Sequence, residues 1–181
     1  MYLISIYFDE KCNKTIQQYI DSVSKRTGNH YMLEGKVPPH ITISAFEMED
    51  EKEAIEVLER VSKKIGTGKI TWASVGQFFP YVLFVQPVLN KYLHDLSLVV
   101  AEELSELQNV KVRSCYEPFQ WIPHTTVGKK LNKEEMKEGF EVLQNSFGMF
   151  HGTVVSIGLA KTNPYQDIQT IMLNKEEGKI I

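Results

Sequence analysis

The sequence predicts an α+β fold with two lobes. Each lobe is a strand–helix–strand–strand unit, and mainly antiparallel sheets line a central cleft with the helices outside. Three observations carry this expectation. Pro38-Pro39-His40-Ile41-Thr42-Ile43-Ser44 returns 84 residues later as Pro123-His124-Thr125-Thr126-Val127-Gly128. Each copy leads into an amphipathic helix and then two strands. The distance from histidine to next strand is also conserved between the halves, 30 residues to Ile70 and 29 to Thr153. The whole of 1–181 reads as one bilobal domain, with a first lobe around 30–87 and a second around 110–175.

The elements follow in order. Residues 2–8 alternate as a strand. Asn13 is placed to cap a helix with Ile16, Tyr19, Ile20 and Val23 on its inner face, ending at Gly28. A loop over 29–39 delivers the chain to the first motif, whose β-branched Ile41, Thr42 and Ile43 favour a strand. Asp50 opens a second helix with Glu53 three places on, and Ala54, Leu58, Val61 and Ile65 form its inner stripe. Strands are expected at Ile70–Val75 and Tyr81–Val85, then a helix from about Val88 with the stripe Leu89, Leu93, Leu96, Val100 and Leu104. Val110–Cys115 reads as a short strand and Tyr116–Trp121 as an aromatic loop before the second motif strand. Asn132 and Glu135 make a capping-box start for a helix carrying Met136, Phe140, Leu143 and Phe147. Strands near 152–160 and 167–173 complete the fold, and Lys175–Ile181 is expected to be loose.

Composition narrows function. A net charge of −3 and a pI near 6.0 leave too few cations for a broad grip on duplex DNA. Two cysteines without CxxC spacing indicate neither a disulfide framework nor a zinc ribbon. No secretory signal opens the chain, and charges interrupt the longest apolar helix, so a cytoplasmic protein without a membrane span is expected. Oligomeric state has no signature here.

Residues two apart on a strand share a face, so His40, Thr42 and Ser44 form one set and His124, Thr126 and Gly128 the other. With ten threonines in 181 residues, two of the five histidines gaining a threonine two places on by chance is about a 3% event. An imidazole titrates near ~6.5 and can give or take a proton at neutral pH. A pair of them, one neutral and one protonated, can act as base and acid together, and the threonine hydroxyls can donate to growing negative charge. Strand parity adds Phe46 and Lys130 to the two faces, and Tyr7 on the first strand can look into the cleft. Such an aromatic can stack a base and such a lysine can hold a phosphate, or each can serve packing and solvation. Two histidines and two threonines are poor metal ligands, so no metal is expected.

The paired His-x-Thr motifs, at His40/Thr42 and His124/Thr126, resemble the two-histidine (2H) phosphoesterase superfamily. That group includes the bacterial 2′-5′ RNA ligase-like proteins and RNA 2′,3′-cyclic phosphodiesterases. The resemblance implies a bilobal duplication with both histidines in a central cleft and a catalytic role for those four residues. It implies metal-independent hydrolysis of 2′,3′-cyclic or 2′-5′ phosphodiesters, at RNA ends or in small nucleotides, with no cofactor. An RNA 2′-5′ ligase, or a module that binds RNA or nucleotide phosphates without turnover, is the alternative expectation.

Overall fold

The computed structural model describes residues 1–162, 164–175 and 180. Its eight strands are β1 Tyr2–Phe8, β2 Ile41–Glu47, β3 Gly68–Phe78, β4 Val82–Pro87, β5 Lys111–Val112, β6 Thr125–Lys129, β7 Phe150–Lys161 and β8 Gln166–Met172. The helices are α1 Glu10–Thr27, α2 Tyr31–Glu34, α3 Glu51–Lys64, α4 Lys91–Ser105 and α5 Lys133–Ser146, with a 3₁₀ turn at Ser114–Tyr116. The strands form one open antiparallel sheet in the order β5-β2-β1-β7-β3-β4-β6, and β8 also pairs with β7. The α+β class is as the sequence predicts.

Local chemistry moved several boundaries. Asp9, not Asn13, caps α1, because its Oδ1 accepts from Cys12 N at 2.8 Å while Oδ2 accepts from Thr153 N at 2.6 Å. One carboxylate thus starts the helix and pins it to β7. Asn90 caps α4 by accepting from Leu93 N at 3.0 Å, so the helix begins after Val88 and Leu89 and leaves both exposed. The Asn132–Glu135 box at α5 is complete, whereas at α3 only the Asp50 bond forms. A short helix, α2, interrupts the loop expected over 29–39. The strand expected over Val110–Cys115 pairs only at Lys111 and Val112 before turning into the 3₁₀ segment. Of the tail expected to be loose, 176–179 and 181 lie outside the described residues.

Both units appear in the expected order, β2–α3–β3–β4 and β6–α5–β7–β8. In space a second equivalence emerges. β1 lies between motif strand β2 and β7, just as β4 lies between motif strand β6 and β3. The equivalent strands β3 and β7 pair antiparallel through their N-terminal halves, from Gly68↔Val154 to Trp72↔Phe150, as a local twofold requires. The helices obey it too. α1 and α5 pack together over β6 and β4, and α4 and α3 pack together over β2 and β7. The β2 side of the sheet therefore takes β7 and α4 from the second half of the sequence, and the β6 side takes β3, β4 and α1 from the first.

One apolar core results. Tyr2, Ile4, Ile6 and Phe8 of β1 are buried in it, with Ile16, Ile20 and Val23 of α1 and Leu93, Leu96 and Val100 of α4. Between α3 and α4, the carboxylate of Glu103 sits 2.6 Å from Arg60 Nε and 2.7 Å from Lys64 Nζ. Glu103 itself is buried, and the two cations, despite the cost of burial, hold its pKa below the usual carboxylate range. No helix among the described residues is long and apolar enough to cross a membrane.

Candidate active site

His40 and His124 each stand one residue before a motif strand, and each is fixed in the same way. The Nδ1–H of His40 donates to Pro38 O at 2.8 Å, and that of His124 to Ile122 O at 2.9 Å. A carbonyl can only accept, so each ring is held with Nδ1 as donor, and no residue among the described ones hydrogen-bonds to Nε2. Both rings are half-buried. Burial pushes both pKa values below the ordinary imidazole value, and the backbone bonds oppose it. The charge of His124 lowers His40, and the charge of Lys129 lowers both. The fold thus gathers the two histidines and one lysine into a single electrostatic neighbourhood.

Each motif strand carries an irregularity immediately after its threonine. One step on β1, from Ile4 to Ser5, spans two on β2, from Ser44 to Thr42. One step on β4, from Leu83 to Phe84, likewise spans two on β6, from Gly128 to Thr126. A one-residue bulge of this kind reverses side-chain parity along the rest of the strand. Thr42 therefore lies opposite Ser5, the two hydroxyl oxygens 3.4 Å apart, whereas Ser44 faces Ile4 and Phe46 faces Tyr2. Phe46 is fully buried and stacks on Tyr2 at 5.8 Å. The parity argument that grouped Ser44 and Phe46 with His40 fails at that bulge. It fails for Lys130 as well. The strand ends at Lys129, Lys130 takes a φ of 57°, and its ammonium sits 4.5 Å over the ring of Tyr31. The bulge on β6 puts Lys129 on the face of Thr126. No compositional mark announces the bulge, so parity alone could not have found Lys129.

The walls differ between the lobes. On the His124 side, Phe78 stands edge-on at 4.8 Å and Phe84 at 5.4 Å from the imidazole. On the His40 side, the Tyr7 ring is 6.3 Å away. Burial first, and then a hydrogen bond with Tyr165, push the Tyr7 phenol well above its usual range, with Asp167 adding to the shift. Glycine makes room for a ring in each lobe. A Cβ on Gly76 would come 2.5 Å from the Phe84 ring, and one on Gly158 would come 2.8 Å from Tyr7. Both tryptophans brace the motif strands, Trp72 Nε1–H donating to Thr125 Oγ1 at 3.2 Å and Trp121 Nε1–H to Thr42 O at 3.0 Å. The other three histidines are engaged elsewhere, His30 with Ser24, His94 with Asp95 and Phe119, and His151 with Thr71.

Removing the cation beside the pair has a signed consequence. Lys129→Gln relieves repulsion of both imidazolium ions, so both pKa values are expected to rise. Titration of the imidazole C–H resonances by NMR reads this directly. Unchanged midpoints would take Lys129 out of the site.

An open antiparallel sheet whose local twofold relates two anchored His-x-Thr strands defines a duplicated phosphoesterase-type fold. The profile of the 2′-5′ RNA ligase superfamily matches residues 13–166, and the chain belongs to that family of 2H phosphoesterases. A protein of Geobacillus kaustophilus (strain HTA426) named "Putative phosphoesterase" is 28% identical over 144 residues, covering 78% of each chain. A protein of the same name from Geobacillus sp. (strain WCH70) is 25% identical over 147 residues, covering 78% of this chain and 79% of its own. Among solved structures, a phosphoesterase crystal structure superposes with a TM-score of 0.55 at 13% identity, over 96% of this chain and 98% of that one. Escherichia coli LigT complexed with 3′-AMP superposes with a TM-score of 0.51 at 13% identity, over 96% and 97%. At such identities the likeness is one of fold.

Proposed function

We propose that the chain is a phosphodiesterase that opens 2′,3′-cyclic phosphates, or cleaves 2′-5′ linkages, at RNA ends or in small nucleotides. The observation that carries this reading is the pair of imidazoles, identically anchored through Nδ1, with neither Nε2 hydrogen-bonded among the described residues and with the charge of Lys129 bearing on both. The neutral ring takes a proton from water at Nε2 as the water oxygen bonds to phosphorus. The protonated ring gives its Nε2 proton to the ribose oxygen as the P–O bond breaks. Hydroxyls of Thr42 and Thr126 and the ammonium of Lys129 meet the charge on the non-bridging oxygens. Each turnover leaves the base protonated and the acid neutral, and proton exchange with water restores the starting state. The scheme needs no cofactor. Support for a nucleotide substrate comes from the fold neighbour LigT, crystallised with 3′-AMP, with NADP+ and with ATP.

The test is incubation with nucleoside 2′,3′-cyclic phosphates and 2′-5′ dinucleotides in EDTA, with products separated by chromatography. Turnover unaffected by the chelator is expected, with a bell-shaped pH profile for kcat/KM. Both imidazole values are depressed, so the bell is expected to be centred below about pH 6.5. Intact substrates across the panel between pH 5 and 8 would overturn the proposal.

A further inference from the structure

Behind the hairpin that presents Phe78 to His124 lies a groove of about 750 Å³. Its walls are Phe79 and Tyr81 at the hairpin tip and Lys133, Met136, Lys137 and Phe140 on α5. A groove of this size accommodates a small-molecule moiety such as a nucleobase. Phe79 is 81% exposed and Tyr81 47%, an apolar surface that the histidine site does not use.

Two short stretches of chain join groove and cleft. Phe79 follows Phe78, whose ring touches His124, so about 3.8 Å of backbone separates the two walls. Leu131, two residues beyond Lys129, lines the groove and donates its N–H to Tyr81 O at 3.2 Å. Charge then decides which way a longer substrate leaves the cleft. At the His40 end Asp167 bears on Tyr7, and a further phosphate there would meet a carboxylate. At the His124 end it meets Lys129 and then Lys133, neither of which has an ion-pair partner among the described residues. The groove's other charges are paired, Lys137 with Glu134 at 3.0 Å and Glu141 with Arg26 at 3.4 Å.

We propose that this groove binds the nucleotide next to the reacting one in a single-stranded RNA end, with its base stacked on Phe79 and Tyr81 and its phosphate held between Lys129 and Lys133. The proposal rests on the phosphodiesterase reading of the cleft and narrows its substrate from a mononucleotide to an oligonucleotide end. Base–aromatic stacking tolerates any sequence, so little base preference is expected at this position.

The experiment compares a mononucleoside 2′,3′-cyclic phosphate with a trinucleotide ending in the same group. The wild type is expected to show a KM about tenfold lower for the trinucleotide. The double variant Phe79→Ala/Tyr81→Ser is expected to lose that advantage while kcat/KM for the mononucleotide stays unchanged. Lys133→Glu should raise KM for the trinucleotide alone and weaken its dependence on salt. Equal KM values in the wild type, or variants that alter both substrates alike, overturn the assignment. A parallel binding series, fluorescence anisotropy of a labelled trinucleotide 3′-phosphate, separates the two readings. If nothing is turned over but the groove variants still weaken binding about tenfold, the groove stands and the phosphodiesterase reading falls. A dimer that Phe79→Ala dissociates, with trinucleotide kinetics untouched, gives the groove to a second copy of the chain and overturns the proposal.

Discussion

Alanine at either His40 or His124 is expected to lower kcat on a nucleoside 2′,3′-cyclic phosphate by about 10²- to 10⁴-fold. The double variant should fall little further, because acid and base work as one unit and removing either disables both. Thermal stability should barely change. Each imidazole is half-exposed and bonds only to a carbonyl two residues back, which water can satisfy once the ring is gone. Asparagine separates chemistry from structure, since its amide can still donate to Pro38 O or Ile122 O but offers nothing in place of Nε2. It should be as inactive as alanine. Single-turnover kinetics alongside thermal melts checks both halves of the expectation. Full activity in both alanine variants would remove the histidines from the mechanism.

The largest effect on stability is expected at Trp72. Its ring is fully buried, stacks on Phe150 at 4.9 Å with planes 2° apart, and meets Phe8 edge-on at 4.9 Å. It sits where β3 changes partner from β7 to β4, so the two halves of the sheet meet through it. Trp72→Ala is expected to cost about 3–5 kcal/mol in chemical denaturation. Trp72→Phe keeps most of the packing but leaves Thr125 Oγ1, which is wholly buried, without its donor, at a cost of about 1–3 kcal/mol. Thr125 lies between His124 and Thr126, so the milder variant should also lower kcat by loosening the second motif. A Trp72→Phe protein with unchanged stability and kcat would show that the indole N–H holds nothing in place.

What was legible in the sequence was whatever depends on spacing along one element. The apolar stripes of α3, α4 and α5 were read correctly, apart from Leu89, which lies exposed ahead of α4, because a helix turns its face every 3.6 residues regardless of its surroundings. The cap of α1 was misplaced by four residues because Asp9 is chosen by a second bond to Thr153, a residue remote in sequence. Tyr7 keeps the face of Ser5 because β1 alternates without a break between them. Lys130 was misplaced because β6 ends at Lys129, while Ser44 and Phe46 were misplaced, and Lys129 missed, for another reason. Each of these last three lies beyond a bulge that exists only because β1 and β4 hold their partners in a particular register.

The repeated Pro-His-x-Thr segment, the order of strands and helices and the family were therefore fixed by residues acting within one element or its immediate neighbours. The fold alone decided that β4 and α1 serve the motif strand of the opposite sequence half, and that the charge of Lys129 bears on both imidazoles. Those outcomes come from pairing between residues far apart in the chain. A side chain's face on a bulged strand is set by its partner strand, and a histidine's pKa by the charges that folding brings near it.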